Sequence, residues 1–214
     1  AAYRVWSFFL PIRRPPRPTL PSPLFLSPPL FLLAMPQVAD PFFRKSVILL
    51  LSHEDEGSFG FIVNRRTELK VAEILTDLKL AWGGDEDDLA QFGGPVQPQV
   101  GTVLYSGAGD ELPPLEAATE VFPGIHLTQH IGELATLAGR PPHRFRLFLG
   151  YAGWGEGQLV SEILRNDWLI APVDPELVFG GSTEAVWEAA ISSVGVDPST
   201  LPAWTANEPE SPAN

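Results

Sequence analysis

A glycine-rich stretch in the second half of the chain constrains the fold more than any other feature. Residues 144–149, RFRLFL, place an apolar side chain at every second position, which predicts a β-strand. Leucine and isoleucine then recur at helical spacing over 159–164. Four glycines separate the two patterns: Gly150, Gly153, Gly155 and Gly157. Because glycine takes positive φ at little cost, the pattern predicts a strand that bends sharply into a helix, too tightly for larger side chains.

The composition indicates an ordinary globular protein and excludes several kinds of chemistry. Of 214 residues, 44% are hydrophobic and 19% are charged, which suits one domain with a real core. The net charge of −12 repels phosphate backbones and anionic lipid, so it argues against nucleic acid and membranes as direct partners. The chain has no cysteine, which excludes disulfides and thiolate chemistry and fits a cytoplasmic location.

The ends of the chain differ in composition from its centre. Residues 1–29 are rich in proline and arginine, and their apolar run is broken by prolines, so we predict a disordered or non-native leader rather than a signal peptide. Residues 30–204 form the predicted single domain, and 205–214 a disordered acidic tail. The only methionine, Met35, lies inside the first predicted strand, so we expect translation to start upstream of it.

The hydrophobic patterning of the domain predicts both strands and helices. Several strands follow one another through short turns, which favours an α+β domain with a mixed or antiparallel sheet. The predicted strands are 30–35, 47–51, 59–63, 100–105, 144–149 and 168–171. The predicted helices are 71–78, 128–138 and 184–193, with a helical turn over 174–179.

A series of short motifs runs in one order through about residues 30–195. They are Met35-Pro36, Asp40-Pro41, Phe43, Ser46-Val47, His53, Gly57, Gly60-Phe61-Ile62-Val63-Asn64-Arg65, Gly93-Gly94-Pro95-Val96, Gly150-Tyr151-Ala152-Gly153-Trp154-Gly155, Gly157-Gln158-Leu159, Glu162-Ile163, Asn166, Trp168-Leu169 and Asp174. This ordered set resembles the AlgH/YqgE family of bacterial proteins of unknown function. The resemblance implies an α+β fold in which a bifurcated sheet curls into a partial barrel with flanking helices, in a cytosolic protein. The family carries no established reaction, and one member's name implies a regulatory role in alginate synthesis.

The glycine stretch is the candidate ligand-binding site. A strand–glycine–helix junction can direct backbone N–H groups at an anion, and Arg65 could bind a carboxylate with both arms of its guanidinium. The hypothetical ligand-binding residues are Asn64, Arg65, Gly153, Trp154, Gly155, Gly157 and Gln158. The glycine spacing matches neither the dinucleotide fingerprint nor a P-loop, and Glu156 adds a negative charge. We therefore favour structural roles for these residues. The glycines would leave room for Trp154 to pack in the core, and Arg65 would form a salt bridge within the protein.

Other candidate chemistry is weaker. His126, His130 and Glu133 could share a helix face and bind zinc, but His126 precedes the predicted helix, so we predict no metal and no cofactor. Ser106 lacks the glycine that a nucleophile elbow carries two residues earlier. His53 could act as a base, although it lies in a charged turn. No nucleophile, base and orienting group can be assembled, so we predict no catalytic residues.

Three functions follow, in order of preference. The first is a non-enzymatic cytosolic regulatory or interaction protein that binds an unknown protein partner or a small ligand at the glycine-rich turn. The second is an enzyme that acts on a small anionic or nucleotide-like substrate there, with Asn64, Arg65 and Gln158 around it. The third is an indirect transcriptional regulator. A deep polar cleft beside Trp154 would favour the enzyme, whereas a filled turn would favour the binding protein.

Overall fold

A computed structural model describes residues 26–106, 115–180 and 183–204. The predicted acidic tail and all of the predicted leader except residues 26–29 lie outside the described residues. The strands of the described part are β1 Leu30–Ala34, β2 Val47–Glu54, β3 Gly57–Ile62, β4 Arg66–Lys70, β5 Leu89–Phe92, β6 Val96–Ser106, β7 Thr119–Phe122, β8 Ile125–Thr128, β9 Phe145–Gly155 and β10 Trp168–Ala171. The helices are α1 Val71–Asp77, α2 Ile131–Gly139, α3 Gln158–Leu164, α4 Pro175–Val178 and α5 Thr183–Ser193, and a 3₁₀ turn covers Pro198–Thr200.

The sheet is bifurcated, and β9 belongs to both of its branches. Along its first half, β9 pairs antiparallel with β6 and parallel with β5. Along its second half, β9 pairs antiparallel with β3, which continues through β2 and β1 to β10. The predicted α+β class is confirmed: a mixed, mostly antiparallel sheet curls into a half-barrel flanked by helices.

Glycines occupy the point where the two branches separate. Gly150 has a φ of +67°, and a Cβ atom there would lie 2.4 Å from the carbonyl oxygen of Gly94. A Cβ on Gly94 would in turn lie 2.2 Å from the carbonyl carbon of Tyr151. The backbones therefore cross at a distance that only glycine permits, which explains the paired Gly93-Gly94 motif as well as Gly150.

Three apolar clusters fill the space around this sheet. One face of the β1–β2–β3 branch packs against α5. The cluster between them contains Phe31 of β1, Leu49 of β2 and Phe148 of β9. The opposite face carries Trp154, Trp168 and Leu159 of α3. The third cluster lies between β6, β9, α1 and α2. Since β2 contributes to both faces of its branch, its continuous aliphatic run is buried on both sides, as predicted.

The structure corrects the prediction for the central bend. The strand does not end at Leu149: β9 continues to Gly155, and the turn that precedes α3 contains only Glu156 and Gly157. Three of the four glycines, Gly150, Gly153 and Gly155, lie within β9, and a neighbouring backbone approaches Gly150 closely and a ring approaches Gly153. The predicted bend is therefore wrong in its position, although the close approach at Gly150 is real.

Smaller differences concern the other elements. The helix predicted from residue 128 begins at Ile131, because Ile125–Thr128 pairs with β6 as β8. The prediction did not place β4, β5 or β7, which are short and lack clear alternation. Within the described residues, no helix has both the length and the apolar character to cross a membrane.

Candidate functional site

A partly buried hydrogen-bond cluster lies where the end of β9 meets α3. The indole Nε1 of Trp154 and the indole Nε1 of Trp168 each donate to Oε2 of Glu162, at 2.8 Å in both cases. The two rings pack edge to face with their centroids 5.9 Å apart. A single carboxylate oxygen thus joins the strand that both branches share to the strand at the outer edge of the sheet.

The other carboxylate oxygen of Glu162 is occupied as well. Nε2 of Gln158 donates to Oε1 of Glu162 at 2.9 Å, one helical turn apart on α3. Oε1 of Gln158 accepts the backbone N–H of Gly155 at 3.1 Å. Five of the seven predicted ligand-binding residues thus lie in or beside this cluster: Gly153, Trp154, Gly155, Gly157 and Gln158.

The sequence analysis missed the role of Glu162. Its carboxylate is the common acceptor of the cluster, yet only the resemblance pointed to this residue. A local signal existed in the sequence, since Gln158 and Glu162 stand at i and i+4 on the predicted helix. The two tryptophans are far apart in the chain, so no local pattern could show that they share one acceptor.

The glycines of the segment differ in what they do. Gly157 has a φ of +67° at the start of α3, and nothing lies within 4 Å of the position that a Cβ would take. A Cβ on Gly153 would lie 3.2 Å from the ring of Tyr151. Gly155 has no such close neighbour, since the nearest heavy atom would lie 4.0 Å away. The segment therefore needs glycine for its conformation at Gly157, whereas a side chain at Gly153 would require a small shift of the Tyr151 ring.

The remaining predicted residues, Asn64 and Arg65, lie in a different place. Asn64 is buried, accepts the backbone N–H of Val47 at 2.8 Å and donates to the carbonyl of Lys45 at 2.9 Å. Lys45 has a φ of +52°, so Asn64 holds a left-handed turn in the loop before β2. No hydrogen bond or ring contact within the described residues connects either residue directly to Trp154.

Arg65 supports the same loop. Its Nη2 donates to the carbonyl of Arg44, so its hydrogen-bond partner is backbone rather than the carboxylate that the predicted salt bridge requires. Burial lowers the pKa of the Arg65 guanidinium, and the charge of Asp40 acts in the opposite direction. The guanidinium therefore holds the loop through Nη2, whereas its buried Nε has no hydrogen-bond partner within the described residues.

The loop that these residues hold connects the two halves of the predicted site. Phe43 packs edge to face on Trp168, with centroids 6.0 Å apart. Its neighbour Phe42 stacks on Phe92 at 5.7 Å. A chain of contacts thus runs from Asn64 and Arg65 through the loop and Phe43 to Trp168.

The structure also brings together a pair that the sequence analysis did not combine. Nδ1 of His53 lies 2.7 Å from Oγ of Ser58, across the hairpin of β2 and β3. Ser58 is in turn the register partner of Trp154 on β9. Directly opposite residues in a sheet share a face, so His53, Ser58 and Trp154 form one row.

The residues considered for metal binding have other roles. The carboxylate of Glu133 accepts the backbone N–H of Ala117 at 2.6 Å and the hydroxyl of Thr128. The ring of His126 stacks on Tyr105, with centroids 5.5 Å apart. In the part of the chain that the structure describes, no group of three or more histidine or carboxylate side chains could hold a metal ion. Ser106 ends β6, and the Gly107 that follows it lies outside the described residues.

The fold and this cluster define an α+β domain built on one curled, bifurcated sheet. The sequence model of the AlgH-like family matches residues 31–199 of the chain, so the chain belongs to that family. A UPF0301 protein of Cupriavidus metallidurans is 41% identical over 174 residues, which cover 80% of this chain and 90% of that protein. The predicted family is confirmed.

Solved structures agree with this assignment. The solution structure of AlgH from Pseudomonas aeruginosa is similar to this chain with a TM-score of 0.67 and 33% sequence identity, over 82% of this chain and 95% of that one. A crystal structure of a Corynebacterium diphtheriae protein, with a TM-score of 0.65 and 23% identity over 79% of this chain and 88% of that one, supports the fold alone.

Proposed function

We propose that this chain is a non-enzymatic regulatory or interaction protein of the cytosol, which acts by binding a protein partner or a small ligand. The observation that carries the proposal is the internal satisfaction of the polar groups around Trp154. Both oxygens of Glu162 accept donors from the protein itself. The regulatory role that the resemblance implies agrees with this, and the absence of cysteine agrees with a reducing compartment.

The chemistry of Glu162 supports binding over catalysis. A catalytic carboxylate needs a lone pair or a proton within reach of substrate. Here two indole N–H groups and one amide converge on a single side chain, so an attacking or proton-transferring role would first break several hydrogen bonds. We infer that Glu162 holds β9, α3 and β10 together.

The ligand-binding role at the glycine segment stays a prediction. Gln158 and Gly157 are exposed at the start of α3, so a ligand could reach them from solvent. It would compete with Glu162 for the amide of Gln158. Asn64 and Arg65 would affect such a ligand only through the loop that carries Phe43.

Isolation of the tagged chain from its native cells tests the proposal. We expect a protein or small molecule in near-stoichiometric amount in the material that denaturation releases, measured by mass spectrometry. An unrelated tagged protein of similar net charge is the control, because it identifies molecules that bind to any protein of this charge. A chain that carries neither, and that converts a compound in a metabolite extract, would contradict the proposal.

An enzyme is the second candidate, and the contact between Ser58 and His53 favours it. In such an enzyme the Ser58 hydroxyl would attack a carbonyl carbon while Nδ1 of His53 accepts its proton. Against this, Ser58 is only 8% exposed, and no carboxylate within the described residues bonds to the imidazole of His53 to orient it.

A fluorophosphonate probe separates the two candidates. We expect no labelling, because a buried hydroxyl without an oriented base is a poor nucleophile. Labelling that Ser58→Ala abolishes and Ser52→Ala retains would establish the enzyme, since the hydroxyl of Ser52, in the same hairpin, bonds to Glu54 and not to the imidazole of His53.

A further inference from the structure

A polar cleft opens near the start of β9, where β5 separates from it. The two strands pair only at Gln91 with Phe148 and at Phe92 with Leu149. Before that point they diverge and leave a cleft of about 90 Å³. Its walls include Leu89 of β5 on one side and residues 145–147 of β9 on the other. The cleft is distinct from the Trp154 cluster, which lies at the other end of β9.

Two arginines line this cleft. Arg146 comes from β9 itself, and its guanidinium donates from Nη1 to the carbonyl of Phe145 at 3.0 Å and from Nη2 to the carbonyl of Phe179. Arg66 of β4 lines the cleft as well, and it is exposed to solvent. Burial lowers the pKa of Arg146, and the like charge of Arg66 lowers it further. The fold therefore brings two cations together at a cost in electrostatic free energy.

The acids nearby do not neutralise both cations. Asp87 forms an ion pair with Lys70, with 2.6 Å between Nζ and Oδ1. Asp87 and Asp88 both line the cleft, and the charge of Asp88 favours the protonated form of Arg146. The backbone of Arg66 pairs with Gln91, but within the described residues its guanidinium makes no hydrogen bond or ion pair, although the chain has 26 acidic residues against 14 basic ones. In so acidic a protein, an arginine held beside another arginine and without a carboxylate partner indicates an anion supplied from outside.

We propose that the cleft between β5 and β9 binds a small oxyanion, a carboxylate or a phosphate, between the guanidinium groups of Arg66 and Arg146. The planar guanidinium matches the geometry of both anions. The backbone carbonyls fix Arg146 in place, so it is pre-organised, whereas Arg66 is free to close on the anion. The proposal rests on the cleft and its two arginines, and it goes beyond the proposed function.

Titration calorimetry of the full-length chain tests the site, with inorganic phosphate and succinate as separate probes at low ionic strength. We expect one of the two to bind at millimolar concentration, and the one that binds identifies the kind of oxyanion. Arg66→Ala should weaken binding by about tenfold or more, since it removes a charge-assisted hydrogen bond. Because Arg66 is exposed, this variant should fold normally.

Matched variants and a local signal complete the experiment. Arg165→Ala removes the same charge from an exposed arginine outside the cleft, and it should leave the affinity unchanged. Arg146→Lys keeps the charge but loses the planar fork, so it should also weaken binding. The side-chain amide of Gln91, which lines the cleft, should shift in the NMR spectrum on titration. Failure of both probes to bind at millimolar concentration, or equal losses in Arg66→Ala and Arg165→Ala, would overturn the proposal.

Discussion

At the scale of single residues, Glu162 has the greatest influence on its surroundings. One side chain accepts the only side-chain N–H groups of Trp154 and Trp168, both of which are buried. An indole has no acceptor and a single donor, so each ring depends on this carboxylate. Glu162 thereby connects α3 to the sheet through hydrogen bonds, beside the apolar contacts of Leu159 and Ile163.

Replacement of Glu162 by alanine should therefore be costly. Two buried indole donors lose their partner, and we expect the free energy of unfolding to fall by roughly 2–4 kcal/mol. Glu156→Ala is the matched control: it removes the same charge from an exposed position in the preceding turn and should change stability by less than about 0.5 kcal/mol. Urea denaturation followed by circular dichroism measures both. Equal effects would mean that the carboxylate of Glu162 stabilises nothing specific.

Tyr105 should make the free energy of unfolding depend on pH in the alkaline range. It is 4% exposed, and burial, followed by the charge of Glu133, raises the pKa of its phenol above the ordinary value of 10.0. A pKa raised in the folded state means that folding favours the protonated phenol. The resulting stability is complete below the unfolded pKa and is lost as pH rises through the folded pKa.

The ultraviolet absorbance of tyrosinate checks this prediction. We expect one of the protein's three tyrosines to ionise at a higher pH than a free phenol, and that step to disappear in Tyr105→Phe. The variant should also lose less stability than the wild type between pH 9 and pH 11, a window on either side of the reference value of about 10. Tyr151→Phe serves as the control. A Tyr105 that titrates with free tyrosine would contradict the burial of its hydroxyl.

At the scale of elements, β9 determines the architecture, and its glycines show what the sequence could and could not reveal. The alternation before Gly150 and the helical spacing after Gly157 identified a strand and a helix correctly. The predicted position of the bend was wrong, because glycine is typical both of turns and of strand positions that another backbone approaches closely. Only the partner strand distinguishes the two, and that partner, the segment around Gly94, is remote in sequence.

The predicted site met the same limit. Gly153 to Gln158 are neighbours in the chain, so a local pattern placed them together correctly. Asn64 and Arg65 were added because of their chemistry, yet they act on the loop before β2. The fold itself was predictable mainly because an ordered set of motifs pointed to a family, whereas the pairing of β5 with β9 follows no local rule.

A matched pair of substitutions separates the two uses of glycine. Gly150 and Gly157 share a φ of +67°, but only Gly150 has backbone against the position of a Cβ. Gly157→Ala should lower the free energy of unfolding by about 1–2 kcal/mol, the cost of the left-handed conformation. Gly150→Ala adds a steric clash at the branch point and should cost roughly 3–5 kcal/mol. Denaturation curves measure both, and similar losses would show that the backbones at the branch point can move apart.

At the scale of the whole molecule, one strand ties three apolar clusters together. Phe148 belongs to the cluster beneath α5, Trp154 to the cluster beneath α3, and Leu147 to the cluster beneath α1 and α2. Neither branch of the sheet can therefore unfold without exposing residues of β9 that the other branch buries. The shared side chains therefore couple the two branches. If one branch opened alone, apolar side chains of β9 would become exposed to water, and this exposure would raise the free energy of the partly opened state.

We accordingly expect a single cooperative unfolding transition. Tryptophans in different clusters report on it: Trp82 packs on Phe145 beside α2, Trp154 lies beneath α3, and Trp187 lies beneath β1 and β2. In a chain labelled with fluorotryptophan, the ¹⁹F NMR signals of these residues should disappear at the same urea concentration, as two-state unfolding requires. Glu162→Ala should move all of the midpoints together. Earlier loss of the Trp82 signal alone would show that the β5–β6 branch opens independently, and that β9 does not couple the two halves of the sheet.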